Sequence, residues 1–326
     1  MPELDTAEGK VISRGASIRP GVTVAVTTRN RQRRLLECIQ SLSSIGGLAE
    51  EVVVFDDAST PPLDVPLIES ECARAGLACR VVRSEENQGL IAARNRLAKE
   101  ARTEYVLTVD DDVIVLNRNG LEHALRILDS DDAVSVVAFP QVNRVGGLDP
   151  GASQPCGAEY PCYVDRFYGY SHLMRRAHFL EIGGYREILF YYGEEPDLSL
   201  RLYAAGRQVV FVPDRSFAHL PEQTGRDYAG ILRFSARNSC ICSILNMPLP
   251  LAMVATWRYL QWHKNTLRSN HISDDEGRKW VRRELTARFP ELWSQRRPAS
   301  WRTIMRWKSI QKHTPRYHER EITPAP

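Results

Sequence analysis

The chain has 326 residues, of which 43% are hydrophobic and 25% charged, with a formal net charge of +3. These globular proportions exclude a mostly disordered, collagen-like or multispan membrane protein and allow a sizeable core. The charge is uneven: residues 226–326 carry 19 lysines and arginines against 8 acids, so residues 1–225 are net acidic. An acidic body with a basic tail suggests a site that gathers cations and a surface that meets something anionic.

In chain order, residues 1–19 form an N-terminal tail whose first ten residues are acidic and lack the apolar core of a secretory signal. The short β-branched run Val22–Val26 predicts a strand ending in Thr27-Thr28-Arg29-Asn30. Leu35, Leu36, Ile39 and Leu42 share one helical face, predicting a helix from about Arg33 to Ser43 that Gly46-Gly47 stops. Glu51–Phe55 is a continuous apolar run of the kind buried on both faces, followed by Asp56-Asp57-Ala58-Ser59. A further helix precedes a third strand at Cys79–Val82. Ile91–Ala101 reads as helix, and Tyr105–Val109 as a fourth strand running into Asp110-Asp111-Asp112. Strand, polar loop and helix alternate, which implies an α/β fold with a mainly parallel sheet and crossover helices. Ligands in such sheets bind at the carboxyl ends of the strands, where all three polar clusters fall.

Gly146–Cys162 is rich in Gly and Pro and reads as a loop over the site. Strand and helix signals resume in His172–Ile182 and Val209–Val212, and Leu198, Leu202 and Ala205 mark another helix. Beyond Pro221 the chain becomes basic and holds all six tryptophans, so the catalytic core is placed at 20–225 and a helical extension at 226–326. Asn238–Trp257 has no charge in twenty residues, but Asn246, Pro248 and Pro250 favour a buried or interfacial segment over a membrane span. Either Ile241, Leu245, Leu251 and Val254 pack on the core or across a homo-oligomer, or the tryptophans and basic residues meet a membrane surface. No nucleic-acid-binding motif is present, so nucleic acid is not an expected partner. Seven cysteines without a CxxC pair suggest reduced thiols in a cytoplasmic protein, with peripheral contact at the inner face of the membrane as the variant.

Three clusters could carry chemistry. Asp110-Asp111-Asp112 would crowd three carboxylates unless a divalent cation relieves the repulsion; the alternative is a solvated loop in which one aspartate caps a helix. Gly193-Glu194-Glu195-Pro196-Asp197 opens a helix, either as acids favoured by the helix dipole or as a general base at the mouth of a site. His219 is either a structural histidine or a metal ligand. The run Arg29, Arg31, Arg33, Arg34 either binds phosphate or is a solvated helix start.

Taken together, Thr27-Thr28-Arg29-Asn30, Asp56-Asp57-Ala58-Ser59, Asn87-Gln88-Gly89 with Ala93-Arg94-Asn95, Asp110–Asp112, Gly193-Glu194-Glu195 with Asp197-Leu198 and Arg201, and His219 resemble the family 2 glycosyltransferases. The resemblance covers roughly residues 20–220 and implies the GT-A fold and inverting sugar transfer from a nucleotide-diphosphate donor. It places Thr27, Thr28, Arg29, Asn30, Asp56, Asp57, Gly89, Arg94, Asp110 and Asp111 around the donor. It assigns Mg²⁺ or Mn²⁺ to Asp110, Asp112 and His219, and the catalytic base to Glu195, where the family has Asp, or to its neighbour Glu194. The implied acceptor is a hydroxyl of a glycan, lipid-linked or other glycoconjugate, of the bacterial surface-polysaccharide kind. The loop Gly146–Tyr170 and Tyr191-Tyr192 are expected to shape its site.

Two other classes compete. A sugar nucleotidyltransferase would need a glycine-rich triphosphate loop after the first strand, where this chain has Thr27-Thr28-Arg29-Asn30. A non-catalytic nucleotide-sugar-binding protein of the same fold would have lost either the metal acids or the base, and both are present.

Overall fold

Four of the runs above pair side by side in the computed structural model, which describes residues 19–149, 154, 159–221 and 227–319. Strands β1 (Arg19–Thr28), β2 (Glu51–Asp57), β3 (Ala78–Ser84) and β4 (Thr103–Asp110) lie parallel in the order β3-β2-β1-β4. Every residue of β2 is buried, as its unbroken apolar run requires in a sheet covered on both faces. Beyond β4 the sheet continues through β8 (Ser171–Arg175), β6 (Val134–Ala138), β9 (Gln208–Phe211) and β7 (Cys162–Tyr163). Here β8 runs antiparallel to both β4 and β6, while β9 is parallel to β6. A separate ribbon pairs β5 (Val113–Val115) with β10 (Phe217–His219).

Crossover helices α1 (Gln32–Ser41), α2 (Val65–Arg74) and α3 (Leu90–Glu100) follow the first three strands, and α4 (Asn119–Ser130) follows β5. The start of α2 is written locally: the Asp64 carboxylate accepts from the Leu67 amide at 3.1 Å, and Pro66 sits in the first turn. Helix α5 (Arg176–Glu181) continues β8, and α6 (Glu194–Ala204) starts at the acidic run. Alternation along β1 sends Val22, Val24 and Val26 to one face, against Leu35, Ile39 and Ile68 of α1 and α2. Ala25 faces the other side, with Ile91 and Leu97 of α3 and Leu198 and Leu202 of α6.

The chain then forms α7 (Tyr228–Asn246), α8 (Leu249–Ser269), α9 (Asp275–Gln295) and α10 (Trp301–His313). These helices are joined to the second core: Ile241, Leu245, Ile304, Trp307 and Ile310 all belong to it. The uncharged run folds back at Met247-Pro248 between α7 and α8. Ile241 and Leu245 are buried and Leu251 packs against the core, whereas Val254 is exposed with Leu249, Met253 and Trp257. Among the described residues no helix is long and apolar enough to cross a membrane.

Two sequence expectations need amendment. Cys38, Cys72, Cys79, Cys240 and Cys242 are free, but Cys162 is disulfide-bonded. The expectation of wholly reduced thiols is therefore wrong, because cysteine spacing says nothing about which sulfurs the fold brings within bonding distance. The Gly146–Cys162 segment is described only in part. Val142 bridges to Leu148, the side-chain Oε1 of Gln154 accepts from the Gln141 backbone amide at 3.0 Å, and Cys162 already belongs to edge strand β7.

Candidate active site

Parallel register aligns the strand ends: Thr28 lies opposite Asp56, and Thr27 opposite Asp110. Above them opens a cleft of about 960 Å³, bounded by the strand-end loops, the start of α6 and the end of β10. The chain leaves β4 at Asp110, turns through Asp111 and Asp112 and enters β5. Because β10 pairs with β5, His219 opposite Val113, the imidazole is carried to Asp112, and the Leu220 amide donates to the Asp112 carbonyl at 2.9 Å.

One ligand atom from each of Asp110, Asp112 and His219 falls within a 4.8 Å span. His219 Nε2 is 3.4 Å from Asp112 Oδ1, yet that buried oxygen has no hydrogen-bond partner. An orphaned carboxylate oxygen facing an imidazole nitrogen and a second carboxylate is a donor set that suits Mn²⁺ or Mg²⁺. The His219 ring stacks on Tyr170 at 4.9 Å, and its Nδ1 lies 3.0 Å from Gln141 Nε2, so its orientation is fixed from two sides. Asp111 turns away from this group: it accepts from Thr28 Oγ1 at 2.7 Å and pairs with Arg31 at 2.8 Å. Burial pushes the Asp111 carboxyl up to about 7, with Arg31 and Thr28 opposing. Burial acts on Asp112 the same way, but His219 and Arg31 outweigh it and hold that carboxyl at about 2.

The acidic start of α6 sorts its carboxylates into three settings. Glu194 is buried and paired with Arg94 Nη1 at 3.0 Å; Arg94 also donates to Asp110 at 2.7 Å and to the Gly169 carbonyl at 2.9 Å. Glu195 lines the cleft, where burial and the neighbouring Glu194 push its carboxyl up to about 8 despite Arg94. A Cβ on residue 169 would sit 2.3 Å from Glu195 Oε1 and 2.6 Å from Arg94 Nη1, so a side chain there would displace that carboxylate or guanidinium. Asp197 points inward, bridging Arg186 and Arg201 at 2.8 Å each and accepting from Asn246 Nδ2 of α7. Burial would raise Asp197, but the two arginines keep it below the ordinary carboxylate range.

Thr27, Thr28, Arg29, Asp57, Gly89, Arg94, Asp110 and Asp111 all line the cleft. Asn30 and Asp56 stand behind it. The Asn30 amide donates to Ser59 Oγ and its side-chain carbonyl accepts from the Thr60 amide; Asp56 accepts from the Ser59 amide and pairs with Arg83. Both therefore frame the two loops that carry the lining residues. Asp57 accepts from the Gln88 and Gly89 amides at 2.7 and 2.9 Å, pinning that loop at the start of α3.

Phe190, Tyr191 and Tyr192 give the cleft an aromatic wall. Phe190 and Tyr192 have φ of 62° and 64°, a left-handed backbone that bulky residues rarely adopt unless their surroundings impose it. The imposing group is buried Asn238 of α7, whose Nδ2 donates to the carbonyls of Leu189, Tyr191 and Tyr192 at 2.5–2.8 Å. Sequence reasoning missed Gln141, Gly169 and Asn238, which belong to no motif. It singled out Arg31 without finding its partners.

A profile described as Glycosyl transferase family 2 matches residues 23–189, just over half of the chain, and the chain belongs to that family. Two animal proteins named as N-acetylgalactosaminyltransferases, from Drosophila melanogaster and Caenorhabditis elegans, are each 28% identical over 239 residues. Those alignments cover 63% and 62% of this chain but only 42% and 39% of the relatives. Among solved structures, residues 1–349 of Staphylococcus aureus TarS with UDP match at TM-score 0.56 and 21% identity, covering 80% of this chain and 78% of that one. A Pyrobaculum calidifontis mannosyltransferase with GDP-Man and Mn²⁺ matches at TM-score 0.54 and 17% identity, covering 91% and 88%. GalNAc-T7 with UDP, GalNAc and Mn²⁺ matches at 0.57 and 17%, covering 84% and 58%. The fold is that of the GT-A glycosyltransferases.

Proposed function

We propose that the protein is an inverting, metal-assisted glycosyltransferase that moves a sugar from a nucleotide-diphosphate donor to an acceptor hydroxyl. The observation that carries this reading is one cleft presenting Asp110, Asp112 and His219 on one side and Glu195 on another. Thr27, Thr28 and Arg29, which line the cleft at the end of β1, would contact the nucleotide. Asp110, Asp112 and His219 would hold Mg²⁺ or Mn²⁺, which when bound offsets the charge that develops on the departing diphosphate. Glu195 accepts the proton of the acceptor hydroxyl as that oxygen attacks the anomeric carbon, and a single displacement inverts the configuration. Between the two glutamates, Glu195 is favoured because Glu194 is buried in its ion pair with Arg94. The raised Glu195 carboxyl suits a base that works near neutral or mildly alkaline pH. Titrating a panel of UDP-, dTDP- and GDP-sugars with Mn²⁺ and following donor hydrolysis tests the reading. Nucleotide binding without any turnover would favour a non-catalytic binding protein.

The acceptor is proposed to be a glycoconjugate whose sugar ring packs its apolar face against Phe190, Tyr191 and Tyr192 and presents the attacking hydroxyl. A surface at α8 is proposed to touch an anionic membrane, supported by exposed Leu249, Met253, Val254 and Trp257 with exposed Arg258 and Arg268 further along the helix. Flotation with anionic vesicles tests this.

A further inference from the structure

Arg31 occupies an unusual place for a residue at the start of a helix. Its Nη1 lies 2.8 Å from Asp111 and its Nη2 2.7 Å from Asp112 Oδ2, while the side chain is 34% exposed at the cleft. Asp112 thus gives one oxygen to a guanidinium and turns the other, which accepts no hydrogen bond, toward His219 Nε2 at 3.4 Å. A divalent ion held by Asp110, Asp112 and His219 would stand next to that guanidinium with charge of the same sign. We propose that Arg31 is a resident cation that guards the metal cluster: it neutralises Asp111 and Asp112 when the cleft is empty and must release Asp112 for the ion to bind tightly. This inference rests on the reading of Asp110, Asp112 and His219 as metal-holding.

Charge balance says what the released arginine meets. A sugar-linked diphosphate brings about two negative charges, and a divalent ion two positive ones. Entering together they leave the net charge of the cleft unchanged, whereas either alone unbalances it. The planar fork that grips two carboxylates matches phosphate oxygens equally well. Arg31 therefore exchanges Asp112 for the donor diphosphate, and Asp112 exchanges Arg31 for the ion. Ion and donor bind cooperatively, and free ion is taken up poorly. Arg31 is the N-cap of α1: its carbonyl accepts from the Leu35 amide at 3.0 Å, while its side chain makes no cap hydrogen bond and reaches the two carboxylates instead.

The test is Mn²⁺ alone, with bound and free ion separated by electron paramagnetic resonance, on the full chain without nucleotide. Arg31→Gln should bind Mn²⁺ roughly tenfold or more tightly than the unaltered protein, the scale of losing one charge-assisted competitor. Arg31→Lys, which keeps the positive charge, should stay near the unaltered affinity. Adding Asp112→Asn to Arg31→Gln should abolish the gain. Equal or weaker binding by Arg31→Gln, or equal tightening by Arg31→Lys, overturns the guarding role. If that happens while donor hydrolysis stays Mn²⁺-dependent, the metal cluster stands without the guard. If the double variant keeps the gain, the ion sits elsewhere and both readings fall.

Discussion

Replacing Arg94 by Met removes the positive charge beneath the cleft while keeping most of the side-chain volume. Arg94 is 3% exposed and makes three polar contacts, to Asp110, Glu194 and the Gly169 carbonyl. Breaking a buried pair by deleting one partner costs about 3–5 kcal/mol, because the other charge is left uncompensated. Glu194 can escape part of that cost by taking a proton, since burial already raises its carboxyl and Arg94 is the group that restrains it. A carboxyl whose folded pKa is raised stabilises the fold most below its unfolded pKa, and that contribution is lost as pH rises toward the folded value. In the variant Glu194 moves further in this direction than in the unaltered protein. The stability deficit should therefore be smallest near pH 5, about 1–2 kcal/mol, and grow toward about 3–5 kcal/mol at pH 8. Its slope cannot exceed about 1.4 kcal/mol per pH unit for one proton. Urea unfolding of both proteins at pH 5, 6, 7 and 8 measures this directly. A deficit that is flat across the range, or below about 1 kcal/mol at pH 8, would refute the reasoning.

Glu195→Gln should lower kcat about 10²–10⁴-fold with donor affinity little changed. The same variant should erase a rise of kcat/KM with pH centred near 8, since the base must lose its proton to act; a persisting limb would move the base elsewhere. Excess chelator or Asp112→Asn should abolish turnover while leaving the melting temperature within a few degrees, and undiminished activity under chelation contradicts the metal assignment. Asn238→Ala takes their side-chain donor from the Tyr191 and Tyr192 carbonyls, while Leu189 O keeps the Tyr191 amide, and should cost about 2–3 kcal/mol. It should also raise the acceptor KM more than the donor KM, and equal effects on both would argue against an acceptor role for that wall. Flotation with anionic vesicles at low salt should retain the protein, and a Met253→Glu, Trp257→Glu double substitution should release it; equal flotation of both forms speaks against α8 as the contact.

The parallel half of the fold was legible because three of its strands, β1, β2 and β4, are largely buried and read as mostly apolar runs bounded by polar loops, while edge strand β3 is partly exposed. β2 is the clearest case, with all seven residues inside. The antiparallel additions were not so legible: β7 has two residues and β10 three, and both exist only through pairing with distant strands. At the site, carboxylates announced themselves by clustering at strand ends. What holds them did not. Arg94 pairs with Glu194 across 100 positions, and Gly169 matters for the side chain it lacks. Asn30 and Asp56 show the converse, since their motifs were visible while their side chains organise loops behind the cleft.

The grip of Asn238 on the Leu189–Tyr192 carbonyls has a consequence for exchange between relatives. A chimera joined between β10 and α7 would inherit its aromatic wall from one parent and the residue that shapes it from the other. Unless both parents carry the same asparagine against the same left-handed turns, the hybrid would keep its donor loops and lose its acceptor face. If the aromatic wall receives the acceptor as proposed, acceptor preference becomes a property of two distant stretches inherited as a pair, and drift in α7 could redirect which hydroxyl is used.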